Sequence, residues 1–127
     1  MADKAKKKSI LLVEDDEFLA ELYATKLNLE GFEVALAMDG EKGLKLAKES
    51  PPDLVLLDII LPKMDGFEVL KELKADDTTK KVPVILLTNL SQKDEVQKGL
   101  SLGANDYLIK AHFMPSEVVQ KIKQIIG

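Results

Sequence analysis

Five short apolar runs, each followed by a stretch of helical spacing, limit this chain more than any other feature. Runs at residues 10–13, 34–37, 54–57, 84–87 and 107–109 are too short for helices and rich in Val, Ile and Leu, so they read as strands. Helical spacing covers residues 17–30, 40–49, 66–75, the stretch from Ser91 to about 102, and the stretch from Pro115 onward. Strands that alternate with helices are joined by crossovers, and crossovers build a parallel sheet with helices on both faces. The expected fold is therefore α/β, a doubly wound, five-stranded parallel sheet. Pattern alone does not fix strand order; the commoner choice is 2-1-3-4-5, the flavodoxin-like arrangement.

Punctuation supports these boundaries. Gly31 stops the first helix, whose expected inward stripe is Phe18, Leu19, Leu22, Tyr23 and Leu27. Pro51 and Pro52 end the second, which turns Leu44 and Ala47 inward. Asp65 with Glu68 three residues on forms a capping box for the third, and Ser91 is the expected cap of the fourth. Pro115 suits the first position of the fifth, with Val118, Val119, Ile122, Ile125 and Ile126 as its apolar stripe.

The chain has 127 residues, 46% of them hydrophobic, enough for one domain with a real core. It has no cysteine, which excludes disulfides, thiol catalysis and Cys-ligated metal. No apolar run approaches the ~20 residues of a membrane span, and no apolar stretch follows the Lys-rich start as a secretory signal requires. Four Lys and one Asp in residues 1–8 make a basic arm of charge +3; the net charge of −4 then leaves −7 on residues 9–127. A flexible arm (1–8) and one domain (9–127) are the expected organisation. An acidic body with four Phe, two Tyr and no Trp is a poor partner for nucleic acid. Cytoplasmic residence, without membrane insertion, is expected.

In a doubly wound sheet, ligands bind beyond the carboxyl ends of the strands. Glu14, Asp15 and Asp16 follow the first strand, Asp58 the third, Thr88 and Asn89 the fourth, and Lys110 the fifth. Asp16 is read as the cap of the first helix. The other carboxylates would crowd one pocket and repel by several kcal/mol at about 4 Å. A hard divalent cation offsets this. Mg²⁺ suits the site because it takes one or two carboxylates, keeps its waters and accepts phosphate oxygens. A hydroxyl from Thr88 and an ammonium from Lys110 complete a site for a phosphoryl group.

The residues ILLVEDD (10–16), Asp58 with LPKMDG (61–66), VILLT (84–88) and GANDYLIK (103–110) resemble the receiver domain of two-component response regulators. The likeness runs from Ser9 to the last residue and is closest to single-domain receivers of the chemotaxis-regulator kind. It implies that Asp58 accepts a phosphoryl group, a carboxylate nucleophile forming an aspartyl phosphate. It also implies that Asp15 binds Mg²⁺, with Glu14 direct or through water, and that the Ile60 carbonyl and Asp58 complete the metal ligands. Thr88 and Lys110 then hold phosphoryl oxygens, and Thr88 with Tyr107 forms the switch that reshapes the surface of the fourth helix, fifth strand and fifth helix. A histidine kinase or phosphotransfer protein would be the donor, and a downstream protein the partner of that surface. Such a chain is no conventional enzyme, although it catalyses its own phosphorylation and slow dephosphorylation.

Two other functions fit the residues less well. A phosphate-independent adaptor has no need of Glu14, Asp15, Asp58, Thr88 and Lys110. A flavin or nucleotide site needs a Gly- or Ser/Thr-rich phosphate loop after the first strand, where this chain has acids. Two departures from the family pattern stand out. Ala111 replaces the proline usual after the lysine, so a trans bond and a differently aimed Lys110 are expected. Met114 stands before Pro115 where a capping hydroxyl would be usual. His112, the only histidine, is read as structural or solvent-facing.

Overall fold

The computed structural model describes residues 7–127; residues 1–6, most of the expected basic arm, lie outside the described residues. In chain order the elements are β1 (Ser9–Val13), α1 (Glu17–Leu29), β2 (Glu33–Ala37), α2 (Gly40–Glu49), β3 (Leu54–Leu57), α3 (Gly66–Ala75), β4 (Val84–Thr88), α4 (Lys93–Ser101), β5 (Asp106–Ile109) and α5 (Pro115–Ile126). The strands pair in parallel in the order β2-β1-β3-β4-β5.

Alternation along each strand splits the core in two. Leu11, Val13, Val55, Leu57, Val84, Leu86 and Tyr107 face the layer that holds Ala47, Val69, Leu70 and Leu73. Ile10, Leu12, Leu54, Leu56, Ile85, Leu87 and Leu108 face Tyr23, Leu27, Val118, Val119 and Ile122. β1, β3 and β4 are covered on both faces, which is why they read as unbroken apolar runs. β2, at an edge, is mostly exposed.

Several local expectations change. In α1 the buried residues are Ala20, Tyr23 and Leu27, whereas Phe18 is 74% and Leu22 42% exposed. The wider stripe fails because a helix laid on a sheet buries only the side facing it, and these two residues fall off that side. In α4 the cap is Gln92, not Ser91, and the Glu95 carboxylate accepts from the Gln92 N–H at 3.0 Å. Asp65 caps α3 through the Glu68 N–H at 3.0 Å, but the Glu68 side chain turns to Lys71 instead of closing a box. β1 begins at Ser9, whose N–H donates to the Asp53 carboxylate at 2.7 Å. β5 begins at Asp106, one residue earlier than expected. Ahead of α5, the Glu117 carboxylate accepts from the Met114 N–H at 2.8 Å and takes over part of the missing hydroxyl's work. No peptide bond among the described residues is cis, so Lys110–Ala111 is trans, as expected, and leads into a short 3-10 turn. His112 is exposed.

Candidate functional site

β1 and β3 are neighbours in register, with Val13 opposite Leu57, so the residues just past them emerge side by side. That pairing brings Glu14 and Asp15 to Asp58. Carboxylate oxygens of the three lie within 4.8 Å of one another. Glu14 and Asp58 are almost fully buried, at 2% and 7% exposure, while Asp15 is exposed.

One cation sits among them. The Lys110 ammonium reaches Asp58 Oδ2 at 2.8 Å and Glu14 Oε1 at 2.5 Å, and its side chain is only 10% exposed. The trans bond after Lys110 thus does not turn its side chain away from Asp58. Burial pulls the ammonium's pKa down, but the hydrogen bonds and charges of Asp58 and Glu14 outweigh this and leave it raised. Burial pushes the Glu14 carboxyl up, against hydrogen bonds from Lys110 and the Asp16 N–H. Glu14 spends both oxygens on these protein donors, the second accepting from Asp16 N at 3.0 Å.

Asp58 is gripped by its own loop. Its Oδ1 accepts from the Ile59 N–H at 2.7 Å and from the Ile60 N–H at 3.3 Å. Gly66, at the start of α3, packs against this turn: a Cβ there would overlap the Asp58 carbonyl oxygen and lie 2.6 Å from Ile59 Cα. These amides and this contact carry no sequence signal beyond the glycine itself. Ile59 is buried, whereas Ile60 is 59% exposed.

Thr88 ends β4 in register with Ile109, beside Lys110, and is fully buried. Its hydroxyl accepts from the Leu90 N–H at 3.4 Å, within its own loop. Tyr107, two residues before Ile109 in β5 and opposite Leu86, has its ring buried and its hydroxyl donating to the Leu90 carbonyl at 2.7 Å. α4 lies over the ring through Gly99, where a Cβ would come 3.0 Å from the tyrosine's Cδ2. Asp16 caps α1 through the Leu19 N–H at 3.0 Å, as expected, and is not part of the acidic cluster.

Burial first, then the charges of Glu95 and Asp58, push the Tyr107 phenol up to about 12. Folded chain therefore keeps a proton that unfolded chain releases above pH ~10. The resulting stability is fully present below that pH and lost as pH rises toward about 12. Urea unfolding at pH 9 and at pH 11 is expected to show a larger loss in wild type than in Tyr107→Phe, by about 1–2 kcal/mol. Equal losses would place the phenol in contact with solvent.

A profile of the response regulator receiver domain matches residues 10–123. The chain is similar to the alkaline phosphatase synthesis transcriptional regulatory protein PhoP of Bacillus subtilis, with 40% identity over 119 residues, 94% of this chain and 48% of PhoP. It spans about half the length of the curated relatives it matches first. Among solved structures, a CheY-like receiver domain protein from Methanospirillum hungatei superposes with TM-score 0.87 at 30% identity, covering 95% of this chain and 94% of the other. The receiver domain of the sensor histidine kinase PA1611 from Pseudomonas aeruginosa, with a magnesium ion in its active-site cleft, superposes with TM-score 0.87 at 31% identity, covering 96% and 99%. Receiver domains bind Mg²⁺ at their acidic site and are phosphorylated by histidine kinases. Profile, fold and acidic cleft agree: this chain belongs to the response regulator receiver domain family, whose function is phosphorylation-controlled signalling.

Proposed function

We propose that Asp58 is the phospho-acceptor, with a phosphohistidine of a kinase or phosphotransfer protein as donor. The observation that carries this reading is the buried Lys110 ammonium on Asp58 Oδ2, inside a cluster of three carboxylates. A carboxylate oxygen of Asp58 forms the new bond to phosphorus, and the donor nitrogen leaves with the electrons of the bond that breaks. The site does little covalent work beyond this; it aligns the donor and balances charge. The Ile59 and Ile60 amides hold the carboxylate so that it does not rotate away. Lys110 offers its ammonium to the phosphoryl oxygens as they arrive, and Thr88 supplies a hydroxyl from the next strand end.

The carboxylate oxygens fit a hard, oxygen-seeking divalent ion. Asp15, Asp58 and the Ile60 carbonyl would hold Mg²⁺, with Glu14 joining directly or through water. Bound there, it would neutralise charge on the transferring group.

Phosphorylation adds roughly −1.5 to −2 charges. Thr88 is the hydroxyl at β4's end, and its loop carries the Leu90 carbonyl that holds Tyr107. A pull on Thr88 is thus transmitted to the tyrosine and to the α4–β5–α5 face, where a downstream protein binds. The effect is a population shift, limited by how differently the two states hold the phosphoryl group. A negative body repels nucleic acid, so the output of residues 9–127 is a protein contact. Among the described residues no helix is long and apolar enough to cross a membrane. Receiver domains are typically cytoplasmic, and we place the chain there on that ground. A phosphate-independent adaptor is not favoured, since burying Glu14, Asp58 and Lys110 together is costly and a scaffold gains nothing from it.

Incubation with a small acyl-phosphate donor and Mg²⁺, followed by intact mass spectrometry, is expected to show one added phosphoryl group and none in EDTA. A wild-type chain that gains no mass would overturn the reading.

A further inference from the structure

The loop from Asp58 to α3 contains a backbone feature that the proposed chemistry leaves unexplained. Lys63 has φ +70°, the only positive φ of a non-glycine among the described residues. The Met64 N–H donates to the Pro62 carbonyl at 2.8 Å, closing a three-residue turn around it. A γ-turn with positive φ is rare and strained, and it persists only where its surroundings enforce it.

The enforcing group is the start of α2. The Gly40 N–H donates to the same Pro62 carbonyl at 3.3 Å, and Asp39 Oδ2 lies 3.8 Å from the Lys63 ammonium. Gly40 is buried, and its φ lies outside the left-handed region, so its conformation does not demand glycine. Space does. A Cβ on Gly40 would overlap the Met64 carbonyl oxygen and lie 2.7 Å from the Met64 carbonyl carbon. That obstacle is backbone and cannot swing aside as a side chain would. The loop is also pinned at its start, where the Gly66 N–H donates to the Ile59 carbonyl at 2.8 Å. Only Ile60 and Leu61 lie between that pin and the turn, so a displaced turn must move Ile60.

We propose that Gly40 is a positioning residue for metal capture: by leaving room for the Met64 carbonyl it seats the γ-turn, and the turn sets where the Ile60 carbonyl points. The proposal rests on the reading of Ile60 as a metal ligand. It makes a residue of α2, with no side chain to offer, a determinant of Mg²⁺ affinity.

The test is Mg²⁺ titration by calorimetry of wild type, Gly40→Ala and Gly43→Ala, with melting in EDTA measured alongside. Gly43 lies in the same helix, but its added Cβ would press on the Val13 side chain at 2.9 Å instead of on loop backbone. Gly43→Ala should melt lower yet keep its Mg²⁺ dissociation constant within about twofold. Gly40→Ala should weaken Mg²⁺ binding by about tenfold or more, beyond anything its melting shift accounts for. Unchanged affinity in a folded Gly40→Ala chain overturns the proposal alone. A wild-type chain that binds no Mg²⁺ overturns the metal reading and this proposal with it. Should Gly40→Ala not fold, amide NMR of wild type decides. The Gly40 and Ile60 N–H resonances must shift together with one Mg²⁺ midpoint, and a Gly40 resonance that stays still overturns the coupling.

Discussion

An Asp58→Asn chain is expected to gain no mass with an acyl-phosphate donor and Mg²⁺, a loss of more than about 100-fold, and yet to melt at or above wild type in EDTA. The first half follows from chemistry, since an amide oxygen is no nucleophile at phosphorus. The second half follows from charge. Asp58 is attracted to Lys110 across 2.8 Å, roughly 6 kcal/mol at an effective dielectric of ~20. Against this stand two repulsions, from Glu14 and Asp15, whose oxygens lie within 4.8 Å, at roughly 3 kcal/mol each. Attraction and repulsion nearly cancel, and the cost of burying a carboxylate at 7% exposure then decides. Asn keeps the shape and still accepts from the Ile59 N–H, so little else is lost. Thermal melts with and without Mg²⁺ check this. A variant that melts several degrees below wild type in EDTA would show that the Lys110 pair dominates.

Lys110→Ala is expected to move stability the other way. It leaves Glu14 and Asp58 buried with no ammonium between them, and breaking such a pair costs about 3–5 kcal/mol. The melting temperature in EDTA should fall by roughly 10 °C or more. Mg²⁺ should restore much of it: with no ammonium competing, Glu14 and Asp58 hold the ion more tightly than in wild type, and a ligand that binds only the folded chain stabilises more the lower its dissociation constant, by about 1.4 kcal/mol for each tenfold. Transfer to Asp58 should nevertheless stay slow with Mg²⁺ present, since the phosphoryl oxygens lose their cation. A melting deficit of the same size with and without Mg²⁺ would mean that Lys110 matters through packing of its stem alone.

These two results would also locate the stored energy of the site. Two carboxylates share one ammonium and the Asp15 carboxylate lies beside them, so the resting chain is less stable than its fold allows. Natural proteins commonly give up stability in this way where chemistry needs charge.

Much of the molecule was legible from period and punctuation. β1, β3 and β4 announced themselves as apolar runs because helices cover them on both faces, and the strand order followed from the commonest winding. The gathering of Glu14, Asp15, Asp58, Thr88 and Lys110 was legible because each lies at the carboxyl end of a strand or within two residues of it, and a parallel sheet gathers such ends at one edge. The exposure of Phe18 and Leu22 was not legible, because helical period locates a stripe but not the width that the sheet will cover. The cap at Gln92 was missed for a related reason: Ser91 has the better side chain, but the Glu95 carboxylate reaches the Gln92 amide.

What the residues alone determined is the set of groups delivered to the sheet's carboxyl edge, since strand length and alternation suffice for that. What only the tertiary structure decided is how those groups pair. Lys110 holds both Glu14 and Asp58, two amides of its own loop grip Asp58, Leu90 takes the Tyr107 hydroxyl, and Gly40 and Gly66 admit loop backbone where a Cβ would not fit. The physical reason is one of range. Periodicity is set by neighbours a few residues apart, whereas all of these contacts except the two local amides on Asp58 join separate segments, up to 96 residues apart for Glu14 and Lys110, and exist only once the fold has formed.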